Sequence, residues 1–81
     1  MRVYTKVEIK FNKKKGCYVV DLEYKEGEWE TGMSGSKIYI VDKYYVLTQW
    51  GSGLPIAVFT NKSEIVDYFF KQYNKIPEII D

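Results

Sequence analysis

Hydrophobic and polar positions alternate from the first residues of this chain. Val3, Thr5, Val7, Ile9 and Phe11 fall on one side of a period of two, and Arg2, Tyr4, Lys6, Glu8 and Lys10 on the other. That period is the one a strand shows when one face lies in a core. Asn12-Lys13-Lys14-Lys15-Gly16 breaks it and reads as a turn. Tyr18, Val20, Leu22 and Tyr24 then form the inward face of a second strand, with Val19, Asp21, Glu23 and Lys25 outward. Two registers of this hairpin differ in their charge pairs. With Ile9 opposite Tyr18, Lys6 faces Asp21; with Ile9 opposite Val20, Glu8 faces Asp21 and Lys6 faces Glu23. Opposite charges across a strand pair help by about 0.2–1 kcal/mol and like charges hurt, so the first register is preferred.

From Glu26 to Ser36 the pattern gives way to three glycines and alternating acids, which predicts a long loop holding Trp29. Ile38 to Val41 reads as a third strand. Asp42-Lys43 is either a turn or a bend within a strand that continues through Tyr44 to Trp50. Gly51-Ser52-Gly53 supplies two residues that take positive φ at little cost, so the chain reverses there. Ile56, Ala57, Val58 and Phe59 follow as a short apolar strand, with Pro55 at its start, where a missing N–H is tolerated.

The last periodic segment is helical. Asn61 is the preferred N-cap, with Thr60 its rival, and Glu64 stands three residues on to complete a capping box. At the helical repeat Ile65, Ile76, Phe69, Tyr73, Val66 and Phe70 share one arc of about 140°. Tyr68 lies at the arc's edge, as the helix residue expected to be most exposed. Asp67 and Lys71 are spaced i,i+4 with the acid first, a favourable order. Pro77 disfavours helical geometry at Ile76 and ends the helix there. Ile79 and Ile80 either fold back as a tail or stay loose.

These elements predict one α+β domain over residues 1–81: a four- or five-stranded antiparallel sheet over residues 1–60, with one C-terminal helix, Lys62–Ile76, packed on one face. The expected core is Val7, Ile9, Val20, Leu22, Ile38, Ile40, Val46, Val58, Phe59, Ile65, Phe69 and Tyr73. A chain of 81 residues buries only about 60–65% of its unfolded surface, so the aromatic content of 17% matters to its stability.

Composition narrows the chemistry. Histidine is absent, and with it the commonest acid–base group near neutral pH. The lone Cys17 has no histidine to activate it and no second cysteine to pair with, which points to an inert thiol in a reducing, cytoplasmic setting. The candidate carboxylate pairs are those of Glu26, Glu28 and Glu30, in the acidic segment. Gly51-Ser52-Gly53 lacks the lysine and following helix of a phosphate loop. No metal-ligand spacing, cofactor motif or membrane-length apolar run is present. Hydrolase, transferase and redox roles are unsupported, and the expectation is a non-enzyme without cofactor or metal.

Binding remains. Net charge is +1, but the charge is divided. Residues 1–15 carry Arg2, Lys6, Lys10, Lys13, Lys14 and Lys15 against Glu8; residues 21–30 carry Asp21, Glu23, Glu26, Glu28 and Glu30 against Lys25. The two blocks partly neutralise each other across the hairpin, or they are free to recognise partners. A protein partner is expected first, at Glu26, Glu28, Trp29 and Glu30: tryptophan dominates many interfaces, and acids steer a basic partner. The competing reading folds Trp29 back over the core. Single-stranded nucleic acid is the alternative, at Lys6, Lys10, Lys13, Lys14 and Lys15, with Tyr4, Tyr39 and Tyr45 as stacking faces. The order of strands followed by one helix resembles that of the positive-cofactor type of single-stranded-DNA-binding fold, which implies the same ligand. A homodimer is the third expectation, through an edge strand at Tyr44 to Trp50.

From Tyr44-Tyr45-Val46-Leu47 through Gly53-Leu54-Pro55-Ile56-Ala57-Val58-Phe59 to Asn61-Lys62-Ser63-Glu64-Ile65, the chain is similar to a strand–turn–strand–helix unit. That unit is frequent in small proteins of phages, archaeal viruses and other mobile elements, anti-CRISPR proteins among them. The resemblance implies a viral accessory protein or inhibitor that binds a host protein in the host cytoplasm, and carries no functional residue across.

Overall fold

The computed structural model describes residues 2–81. It contains β1 (Arg2–Asn12), β2 (Cys17–Glu26), β3 (Trp29–Val41), β4 (Tyr44–Thr48), β5 (Pro55–Phe59), α1 (Lys62–Tyr73) and β6 (Glu78–Ile80). The strands form one sheet in the order β5-β4-β3-β2-β1-β6. All neighbours are antiparallel except β1 and β6. The α+β class stands, with six strands rather than four or five and a strand after the helix.

The sixth strand follows from the direction of the helix. β5 and β1 both run toward the end of the sheet that holds the β1–β2 turn. α1 runs back across one face, from Phe59, whose ring meets Tyr68 at 5.4 Å, to Tyr4 of β1, whose ring meets Tyr73 at 4.7 Å. The next segment therefore runs parallel to β1, with Ile9 opposite Ile79. Pro77 lies buried between helix and strand.

The β1–β2 register is the second of the two weighed, Ile9 opposite Val20, with Glu8 facing Asp21 and Lys6 facing Glu23. The like-charge pair is offset by Lys6, whose Nζ lies 3.8 Å from Glu8 and 3.9 Å from Glu23. A bulge at Thr5 shifts the pairing from Tyr4↔Tyr24 to Lys6↔Glu23 and inverts the alternation beyond it. Tyr4 thus turns toward the helix side, whereas Val3 is 57% exposed.

The core is Val7, Ile9, Tyr18, Val20, Leu22, Ile38, Leu47, Phe59, Ile65 and Phe69. Four expected members, Ile40, Val46, Val58 and Tyr73, lie outside it. Val46 and Val58 pair with each other on the opposite, helix-free face, while Leu47 and Phe59 face inward. Ile40 shares the inward face but is half exposed. Tyr73 is half-buried and packs against the core from the helix end.

α1 is shorter than predicted. Asn61 caps it, accepting from the Glu64 N–H at 2.9 Å, and Glu64 reaches back to the Thr60 N–H at 2.9 Å. Asn74, in the left-handed conformation at φ 54, closes the other end by donating its N–H to Phe70 O. Ile76 therefore falls beyond the helix and is 68% exposed. Ile65 and Phe69 are the buried helix residues. Tyr68 is covered by Phe59, and Phe70 takes the exposed position expected of Tyr68. Asp67 and Lys71 form no ion pair among the described residues.

Candidate functional site

The predicted loop over residues 26–36 is strand. β2 and β3 close through Gly27-Glu28 alone, with Gly27 at φ 65 and Glu26 paired to Trp29. A connection this tight needs positive φ at its first residue, which glycine supplies. β4 pairs only with Lys37–Val41 of β3. The half of β3 from Trp29 to Ser34 thus has β2 on one side and no strand on the other. The result is a finger of three strands in a molecule 42 Å long, with an open backbone edge along β3.

Trp29 stands at the tip of this finger and is 80% exposed. It does not fold back over the core, because the hairpin holds it beyond the reach of α1. The acids around it are largely matched. Glu26 accepts from Arg2 Nε at 3.3 Å, and Glu30 lies 3.1 Å from Lys25 Nζ. Arg2 also sits 4.6 Å over the Tyr24 ring, and its guanidinium is held further toward the charged form by its hydrogen bonds to Tyr4 and Glu26. Glu28, in the turn, has no basic partner among the described residues. Neutralisation across the hairpin therefore holds at this end of the sheet and leaves one free acid beside an exposed indole.

The opposite end is different. Lys13, Lys14 and Lys15 are exposed in the β1–β2 turn, and Lys43 in the β3–β4 turn. Asp42-Lys43 is a turn, with Asp42 at φ 57. Lys10 faces the same end on the helix-free side. Lys6 does not join this group: its ion pairs with Glu8 and Glu23 draw it toward the middle of the sheet. Of the tyrosines expected to stack, only Tyr39 is on the helix-free face. Tyr4 packs against Tyr73 and Tyr24, and Tyr45 against Tyr18, all on the helix side. Tyr44, 38% exposed and opposite Val41, was not anticipated. The signal for it is parity: Tyr44 shares its face with Val46, once Leu47 is taken as inward.

The segment Tyr44 to Trp50 is not a sheet edge, since β4 lies between β3 and β5. The outer strands are β5 and β6. Cys17 is buried and outside the core cluster. No cluster of potential metal ligands occurs among the described residues. A surface depression of about 540 Å³ is lined by Thr5, Glu23, Tyr24, Lys25, Glu30, Thr31 and Gly32. Its charged members are already paired, Lys25 with Glu30 and Glu23 with Lys6. No helix among the described residues is long and apolar enough to cross a membrane.

One charged group is built into the helix side. The Asp81 carboxylate accepts from the Tyr18 hydroxyl and from Lys62 Nζ, the latter at 2.7 Å. These bonds, Lys62 first, hold Asp81 below the usual carboxylate range; burial and the same bond push the Tyr18 phenol up. The triad ties β6 to β2 and to the start of α1. Its donors and acceptor satisfy one another, so it reads as a structural clamp. Comparison of the chain with family profiles, with curated proteins and with solved structures found no match in any of the three.

Proposed function

We propose that this chain is a non-catalytic binding protein that engages a partner protein through the β2–β3 finger. The observation that carries the reading is Trp29, 80% exposed on a two-residue hairpin turn. An exposed indole buries a large apolar area when covered, and having only two side-chain torsions it loses little freedom. The open edge of β3 beside it offers unpaired backbone donors and acceptors, the groups an added strand uses. Glu28 supplies a charge that favours a basic neighbour in the partner. A viral or phage accessory role would fit a small chain whose surface is committed to recognition rather than catalysis.

Capture from nuclease-treated host lysate tests this, with wild type, Trp29→Ala and Lys13→Gln/Lys14→Gln/Lys15→Gln as baits. A specific protein retained by wild type and by the lysine variant, and lost with Trp29→Ala, is the expected result. A captured protein indifferent to Trp29, or one released by nuclease, refutes it.

A further inference from the structure

We propose that the helix-free face of the sheet, at the end formed by the β1–β2 and β3–β4 turns, binds single-stranded nucleic acid. Six lysines converge there from four places in the chain. Lys13, Lys14 and Lys15 occupy one turn, and Lys43 the other. The turns are two strand spacings apart, about 10 Å. Lys10 and Lys37 both pair with Val19, so they stand in one row on the same face, on either side of β2. None of the six forms an ion pair among the described residues, in contrast to Arg2, Lys6, Lys25 and Lys62. The only acid in either turn is Asp42.

Between these cations the face is apolar and aromatic. Asn12, Cys17, Tyr39, Val46 and Val58 form one cross-strand row. Tyr39 and Tyr44, each 38% exposed, lie on adjacent strands of it. The Lys43 ammonium sits 5.6 Å from the Tyr44 ring centre. Asp21 lines a depression on this face with Lys10 and Lys15 but pairs with neither; lysines without ion pairs framing exposed rings match a strand with its phosphates outward and its bases free to stack. A duplex presents the phosphates but hides the base faces, and an acidic polypeptide presents charge with nothing to stack. The surface is separate from the Trp29 finger and does not depend on its role.

Fluorescence anisotropy with the full chain and labelled 20-mers of oligo-dT and oligo-U tests the proposal, with duplex DNA and poly-glutamate as competitors. For four phosphate contacts the single-strand salt slope is about −2.8, so affinity should fall about 50-fold between about 50 and 200 mM salt. Lys13→Gln/Lys14→Gln/Lys15→Gln should lower that slope by about 2. Tyr39→Thr or Tyr44→Thr should weaken binding about fivefold or more at unchanged slope, and the Phe variants should restore it. The two oligomers tell DNA from RNA. Absence of binding at low salt, competition by duplex or poly-glutamate as strong as by the single strand, or tyrosine variants without effect would each overturn it.

Discussion

Gly35→Ala tests the packing at the base of the finger. Gly35 adopts φ +136, a region side chains rarely enter, and a Cβ there would stand 1.9 Å from Trp50 Cδ1 and 2.3 Å from Nε1. The indole thus lies directly on the glycine, although Trp50 is 60% exposed. Two costs follow. Backbone strain contributes about 1–3 kcal/mol. Displacing the ring uncovers about 100 Å², or about 2.5 kcal/mol at about 25 cal/mol per Å². Gly35→Ala should therefore lose at least about 3 kcal/mol, which lowers Tm by about 12 °C or more in a domain of this size. Trp50→Ala alone should lose about 2.5 kcal/mol. The double variant should be about as stable as Gly35→Ala, because the ring is lost only once, giving a coupling of about 2.5 kcal/mol. Urea unfolding of the four proteins, followed by circular dichroism, measures it. A Gly35→Ala protein within about 0.5 kcal/mol of wild type, or a double variant whose loss equals the sum of the singles, refutes the contact.

In a Trp50→Phe background, Trp29 emission should be solvent-like and fully quenched by acrylamide; a blue-shifted, protected signal would contradict its exposure. Phe69→Ala should cost about 3–5 kcal/mol in urea unfolding, and Val58→Thr, on the helix-free face, about 0.5 kcal/mol or less; equal losses would reverse the assignment of the two faces. Glu64 and Asp81 have folded pKa values lowered from 4.5 and 3.8, Glu64 by its bonds to Thr60 and Asp81 by those to Lys62 and Tyr18. Their stabilisation is present above those unfolded values and is lost as pH falls through the lower folded ones. Glu64→Gln and Asp81→Asn should flatten the fall in stability below about pH 4.5; an unchanged acid limb in both would refute the linkage.

What the sequence could show depended on which forces decide each element. The capping box at Asn61 and Glu64, the turn at Gly51 and Gly53, and most of the core come from local preferences strong enough to survive in three dimensions. The β1–β2 register did not, because surface charge pairs are weak and one lysine, Lys6, can serve two acids at once. The Thr5 bulge left no mark: Thr5 fits the alternation it interrupts. Trp29 to Ser36 looked like loop since strand propensity counts glycine and glutamate against it, and pairing with β2 overrode that. β6 is too short for any periodicity. For the candidate surfaces, Trp29 and Lys13 to Lys15 were readable as residue types. That Glu26 and Glu30 near Trp29 are matched while the lysines are not required the pairing of strands. Lys37 and Lys43 joined the basic group only through contacts distant in sequence.

The pairing of Glu8 with Glu78 joins β1 to a segment synthesised only after α1. While a nascent chain is still emerging from the ribosome, the outer margin of β1 has no neighbour, and Val7 and Ile9 sit in a strand ready to template another copy. Lys6 and Lys10 flank those two residues, the placement by which natural sequences keep a bare strand from recruiting strangers. A truncation before Glu78 would make that transient state permanent, and its first symptom should be aggregation rather than a lost binding partner.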